Sequence, residues 1–114
     1  MIKPWEDICD YFRELAKLGD SFEAMANLVR AIERSRYKEG IFGWTSMHDL
    51  CIVQTRVSYP HYEPYLRISP VSDGQLEFRY IDTSDEKKQW HRVVEGADGF
   101  HRLESFLEQL HWFA

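Results

Sequence analysis

Four arginines lie in stretches with the alternating pattern of β-strands, and they are the side chains of this chain best suited to bind an anion. If the neighbouring strands follow the face assignment of the hairpin at residues 65–81, the four arginines share one face of the sheet with two aromatic residues. The six residues are Arg56, Tyr65, Arg67, Arg79, Trp90 and Arg92. On one face of a sheet they would combine guanidinium groups with rings, and such a surface can bind a carboxylate, a phosphate or an acidic patch of another protein.

A second interpretation of the same arginines is a solvated sheet face on which they pair with nearby acids. Four carboxylates could serve as partners: Glu63, Glu77, Asp82 and Glu95. Exposed ion pairs of this kind are common and contribute little stability. The pattern alone leaves both interpretations open.

An aromatic segment framed by prolines is a second candidate binding element. Residues 59–64 read YPHYEP, so Tyr59, His61 and Tyr62 could form a recognition loop. The prolines remove backbone donors and favour extended conformations in the residues before them, which stiffens the loop. The alternative is a wide connection whose tyrosines fold back over the edge of the sheet.

Signatures of catalysis or metal binding are absent from the sequence. It contains no phosphate-binding glycine motif, no zinc-ligand spacing and no nucleophile elbow. Five scattered histidines lack the i, i+4 spacing of a helical metal site: His48, His61, His91, His101 and His111. Cys51 falls in a strand pattern that indicates burial, which disfavours a Cys/His nucleophile. We therefore predict no catalytic residue, no metal ligand and no cofactor; enzymatic activity is disfavoured but left open.

Composition and charge narrow the classes of partner. The chain has 114 residues, with 14 Lys and Arg against 19 Asp and Glu, and a formal net charge of −5. This length suits one domain, residues 1–114, with one hydrophobic core. The acidic balance disfavours nucleic acid as a partner, and no apolar run approaches the ~20 residues of a membrane span. Two cysteines and the lack of a leader pattern predict a reduced, cytoplasmic protein.

Two helices are predicted before the strands. The first runs from about Pro4 to Leu18, because apolar residues recur at three- and four-residue spacing, and Gly19 is expected to end it as a left-handed cap. Asp20 and Glu23 fit a capping box at the start of a second helix, which the apolar spacing extends to about Arg36.

A β-hairpin from Tyr65 to Ile81 follows from alternation. One apolar face requires Ile68 opposite Phe78, and this register leaves a three-residue loop, Ser72 to Gly74, with Gly74 in the left-handed position. The same register places Arg67 opposite Arg79. Like charges opposed across strands are unfavourable, so Glu77, solvent or an anionic ligand must compensate.

The remaining strands and a last helix complete the expected fold. Residues 41–47 form either a short edge strand or an irregular crossing, and residues 49–57 are the best candidate for the central strand. Residues 89–95 form a further strand, and the pattern does not decide which of its faces, with or without Trp90 and Arg92, points inward. Asp98 is the expected N-cap of a last helix with a wide apolar stripe. The prediction is an α+β fold in the order α-α-β-β-β-β-α: two helices, an antiparallel meander of three to five strands, and a helix packed on the sheet.

Two functions fit these observations. The first is a small protein-interaction module, such as an inhibitor, an immunity-type protein or an adaptor, whose partner is another protein; self-association as a homodimer is left open. The alternative is a protein that binds a small molecule or an anionic ligand in a pocket between sheet and helices, with or without catalysis.

Overall fold

Two helices precede a five-stranded antiparallel sheet, and a third helix follows it. The computed structural model describes residues 2–54 and 64–113. The elements are α1 (Trp5–Ala16), α2 (Asp20–Glu33), β1 (Phe42–Ser46), β2 (Asp49–Val53), β3 (Tyr65–Val71), β4 (Gln75–Ile81), β5 (Trp90–Glu95) and α3 (Gly99–Gln109). This order and the antiparallel sheet confirm the predicted α+β fold class.

The strands form a meander in the order β1-β2-β3-β4-β5, so every strand pairs with its neighbours in the chain. The β3–β4 hairpin has the predicted register, with Ile68 opposite Phe78. A loop of Ser72, Asp73 and Gly74 closes it, and both Asp73 (φ 63°) and Gly74 (φ 73°) are left-handed. Parity therefore predicted the hairpin correctly, although Asp73 adds a second left-handed residue to the turn.

The helices cover one face of the sheet, which we call the inner face. Its central side chains have no exposed surface: Leu50, Ile52, Leu66, Ile68, Leu76 and Phe78. Fully buried residues also come from all three helices, including Phe12 of α1, Met25 of α2 and Leu103 of α3, and they belong to the same apolar cluster. Burying each such side chain contributes about 1.5–3 kcal/mol, so this layer dominates stability.

The junction between α1 and α2 differs from the predictions at three points. After Ala16, the N–H of Leu18 bonds to the oxygen of Leu15, a tighter i, i+3 turn that ends α1 early. Gly19 is the N-cap of α2 in an extended conformation (φ 159°, ψ 168°) and not a left-handed cap of α1. Asp20 is then the first residue of α2, so the predicted capping box is wrong.

The end of α2 also falls short of the prediction. The helix ends at Glu33, and residues Arg36–Glu39 form a 3₁₀ turn. The hydroxyl of Ser35 accepts a hydrogen bond from the N–H of Tyr37 (3.1 Å) and caps this turn. A local side-chain cap therefore competes successfully with continuation of the α-helix.

The first two strands answer an open question about residues 41–47 and correct the prediction of the central strand. Residues 42–46 form the edge strand β1, which resolves the alternative left open for that stretch. β2 is an interior strand with buried residues on both faces, as predicted, but the middle strand of the sheet is β3. Apolar residues on both parities indicated two-sided burial of β2 and carried no information about strand order.

The last helix and the residues after it pack onto the rest of the chain. Asp98 is the N-cap of α3, as predicted, and Phe106 of that helix packs against Phe78 with ring centroids 5.0 Å apart. Trp112 is buried beside Tyr80. None of the helices that the structure describes is long and apolar enough to cross a membrane.

Candidate functional site

The side of the sheet opposite the helices is the outer face. Strand parity assigns its residues: Phe42, Trp44 and Ser46 on β1; Asp49, Cys51 and Val53 on β2; Tyr65, Arg67, Ser69 and Val71 on β3; Gln75, Glu77, Arg79 and Ile81 on β4; His91, Val93 and Glu95 on β5. Arg67 stands opposite Arg79, as the hairpin register predicted. Three of the six residues predicted for one face, Tyr65, Arg67 and Arg79, are therefore together.

Trp90 and Arg92 are not on the outer face, and this part of the prediction is wrong. Trp90 pairs with Tyr80 and Arg92 with Phe78, so both lie on the helix side of β5. The ring of Trp90 packs 4.8 Å from Phe106, and the Arg92 guanidinium lies 5.6 Å from the centre of the Trp90 ring. A shift of one residue in register exchanges the two faces of a strand, and the polar connection before β5 gave no signal for that register.

The remaining predicted site residues cannot be placed on this face or away from it. Arg56 and the predicted recognition loop of Tyr59, His61 and Tyr62 lie outside the residues that the structure describes.

Asp49 compensates the opposition of the two arginines. Its Oδ2 accepts a hydrogen bond from Arg67 Nε (2.6 Å) and lies 3.6 Å from Arg79 Nη2. Only 16% of the Asp49 side chain and 21% of that of Arg67 are exposed. Charges buried to this extent need a partner, so this pair is the best-satisfied ionic contact of the face.

Sequence reasoning missed Asp49. It named Glu77 as a compensating acid, and Glu77 is present, but with longer contacts of 3.7 Å to Arg79 Nε and 3.8 Å to His91 Nδ1. Asp49 is 18 residues from Arg67 in the chain, and the register of β2 against β3 brings the two together. A carboxylate at the first residue of an otherwise apolar strand was the available signal.

Burial shifts the pKa of Arg67 and of the neighbouring Cys51, and only for Arg67 do hydrogen bonds outweigh it. Burial alone lowers the pKa of Arg67, but hydrogen bonds to Asp49 and Tyr65 raise it, and the net shift is upward. Cys51, opposite Arg67, is fully buried, and burial raises the pKa of its thiol to about 11. Burial therefore makes the thiolate harder to form than in an exposed cysteine, which disfavours a nucleophile at this position.

Arg79 is held more loosely than Arg67. Its Nη2 donates to Ser69 Oγ (3.2 Å), and its side chain is 39% exposed. Its Nε is buried, lies 3.7 Å from Glu77 Oε1 and makes no hydrogen bond to any residue that the structure describes. Arg79 is thus a partly exposed cation beside two exposed residues of β5, His91 and Val93.

A second apolar cluster occupies the β1–β2 end of the outer face. Trp44, Cys51 and Val53 are buried there, and Phe42 and Tyr65 pack against them. The rings of Trp44 and Tyr65 are 5.5 Å apart. The outer face is therefore divided into an apolar half, formed by this cluster, and a charged half that contains Asp49, Arg67, Glu77, Arg79 and His91.

Neither a metal site among the described residues nor a similarity to known proteins points to a function. Within residues 2–54 and 64–113, no group of three or more His, Cys, Asp or Glu side chains is arranged to hold a metal ion. Comparison of the chain with protein-family models, with curated proteins and with solved structures found no match.

Proposed function

We propose that this chain is a protein-binding module, and that the charged half of its outer face binds a second protein through a carboxylate on that protein's surface. The supporting observation is Arg79, a cationic side chain that is 39% exposed on this face although its own Nε is buried. Guanidinium groups bind carboxylates through charge-assisted hydrogen bonds, so a partner's Asp or Glu matches this partly exposed cation. Inhibitors, immunity-type proteins and adaptors act through surfaces of this kind.

The neighbours of Arg79 favour a protein surface as its ligand. Val93, which pairs across the strands with Glu77, is 52% exposed, and His91, which pairs with Arg79, is also exposed. An apolar side chain, an imidazole and a guanidinium side by side resemble the mixture found in protein interfaces, where Arg and apolar groups are combined. Arg67 is a poorer candidate because Asp49 already holds its Nε at 2.6 Å.

The alternative, a ligand pocket between sheet and helices, is less well supported. The side chains that meet there, such as Phe12, Met25, Ile68 and Phe78, have no exposed surface. Solvent does not reach these side chains, so a ligand lying among them would have to displace residues of the close-packed core.

The test compares two substitutions that remove the same charge. Arg79→Gln removes the guanidinium from the outer face, and Arg13→Gln removes one from the exposed side of α1, where Arg13 pairs with Asp10 at 3.0 Å. Each tagged variant and the unchanged chain are used to capture proteins from a lysate of the source organism, with quantification by mass spectrometry. We expect at least one protein captured by the unchanged chain and by Arg13→Gln to be depleted with Arg79→Gln.

The captured protein is then purified and titrated calorimetrically against all three chains. Loss of a charge-assisted pair predicts binding roughly 10- to 100-fold weaker for Arg79→Gln and unchanged for Arg13→Gln. Equal affinities for the two variants would show that Arg79 is not part of the binding surface. The same conclusion follows if no protein distinguishes the variants at capture.

A further inference from the structure

The two edges of the sheet differ in whether another segment of the chain pairs with them. At the β1 edge, the N–H of Lys3 donates to the oxygen of Gly43 (2.9 Å), so the N-terminal segment forms a bridge there. At the β5 edge, no strand within the described residues lies beyond β5. Three consecutive residues of β5, His91, Arg92 and Val93, are exposed. An uncovered edge of this kind offers backbone donors and acceptors to another strand.

The orientation of the β5 backbone shows which residues offer those groups. Arg92 Nη1 donates to the backbone oxygen of His91 (2.8 Å), which places this oxygen on the side of β5 away from β4. In an antiparallel strand, the N–H and C=O of one residue point to the same neighbour, and successive residues alternate. His91, Val93 and Glu95 therefore point outward, whereas Trp90, Arg92 and Val94 bond to β4.

We propose that β5 pairs antiparallel with β5 of a second copy of this chain, about a two-fold axis at Val93. An axis perpendicular to the sheet keeps the helices of both copies on one side, so each residue must pair with one of its own parity. Centred on Val93, the pairing joins two valines and sets His91 opposite the partner's Glu95. Centred on Arg92, it would oppose two guanidinium groups, which is unfavourable.

The register at Val93 satisfies both backbone and side chains. Val93 pairs with itself, and His91 pairs with the partner's Glu95 on either side of the axis; because these residues point outward, each pair exchanges two backbone hydrogen bonds. The valine pair covers a side chain that is 52% exposed in the single chain. Arg92 gives up its bond to the His91 oxygen, and the partner strand takes its place. An interface of one strand pair is small, so the dimer is weak and forms at high protein concentration.

Two lysine substitutions on β5 test this register. Val93→Lys sets two ammonium groups against each other at the axis, while within one chain the new charge faces Glu77, its partner across β4 and β5. His91→Lys sets a charge opposite the partner's Glu95; within one chain the new charge stands opposite Arg79 and near Glu77, which already lies 3.8 Å from His91 Nδ1, and these contacts are the same in monomer and dimer. The two substitutions add the same residue two positions apart and should have opposite effects on association. Leu18→Lys is the control, because Leu18 is an exposed apolar residue between α1 and α2 and does not belong to β5.

Sedimentation velocity over about 1 µM to about 1 mM measures association, and thermal unfolding verifies each fold. We expect the unchanged chain and Leu18→Lys to dimerise alike, Val93→Lys to weaken the dimer at least about tenfold, and His91→Lys to strengthen it roughly threefold to tenfold. A chain that is monomeric throughout, or equal effects at positions 91 and 93, would overturn the proposal. Arg79→Gln should leave the dimer intact, so failure here and failure of the proposed function are distinguishable.

Discussion

Ile68 pairs with Phe78 on the inner face of the hairpin, and one residue earlier and later along the same two strands Arg67 pairs with Arg79 on the outer face. The inner pair has no exposed surface and is held by apolar contacts from the helices. The outer pair is held by Asp49 and Glu77, acids contributed by two different strands. Apolar packing tolerates many partners, whereas opposed cations require an acid at a defined position. That position depends on the register of β2, β3 and β4 relative to one another, because these strands carry the acids and the arginines.

The two faces should differ most in how much a substitution lowers the free energy of unfolding, and Phe78→Ala on the inner face should show the largest loss. Truncation of a fully buried Phe removes transfer energy and leaves a cavity, so we expect a loss of about 3–5 kcal/mol in the free energy of unfolding. Urea denaturation measures it. Arg79→Ala, at the next residue of β4 but on the outer face, should cost less than about 1 kcal/mol, as exposed ion pairs do. Similar losses at both positions would show that the outer face is as tightly organised as the inner one.

Cys51 gives a pH-dependent view of the outer face. Its pKa is about 11 in the fold against 9.0 for an unperturbed thiol, because burial disfavours the thiolate. Between these values the unfolded chain binds fewer protons than the folded one, so stability falls as pH rises from 9 to 11. The full difference is on the order of 2–3 kcal/mol.

The measurement compares the pH dependence of the urea midpoint in the unchanged chain and in Cys51→Ala. The substitution adds a cavity cost that is the same at every pH, so only the slope carries the result. A steeper fall for the unchanged chain is expected. Parallel profiles would mean that solvent reaches the Cys51 thiol.

Asp49→Asn tests the acid that holds the two arginines. The amide oxygen can still accept a hydrogen bond from Arg67 Nε, so only the charge is lost, and we expect about 1 kcal/mol of destabilisation, below the value for losing a charge-assisted bond entirely. Glu77→Gln, whose carboxylate contacts are 3.7 Å and longer, should cost less than about 0.5 kcal/mol. The order of the two values, read from chemical denaturation, is decisive; a larger loss for Glu77→Gln would make Glu77 the organising acid.

Local sequence predicted those parts of the fold in which the deciding residues are close together in the chain. The β3–β4 hairpin is the clearest case, because a loop of Ser72, Asp73 and Gly74 and two parities leave one register. The apolar stripe of α3 and its N-cap at Asp98 were likewise found. The prediction of an arginine and aromatic face placed Tyr65, Arg67 and Arg79 together correctly and Trp90 and Arg92 wrongly, because it extended the parity of the hairpin across connections whose register it could not know.

Whether residues 41–47 form a strand was left open, but the sequence by itself determined the order of the three helices and of β2 to β5, the inner face of the hairpin, and the opposition of Arg67 and Arg79. These follow from periodicity and from one short turn, which act within a few residues. Only the tertiary structure decided that Asp49 compensates the arginines and that His91 and Val93, not Trp90 and Arg92, join them. The physical reason is that a side chain's face depends on the register between strands, and long-range packing of the whole sheet fixes that register.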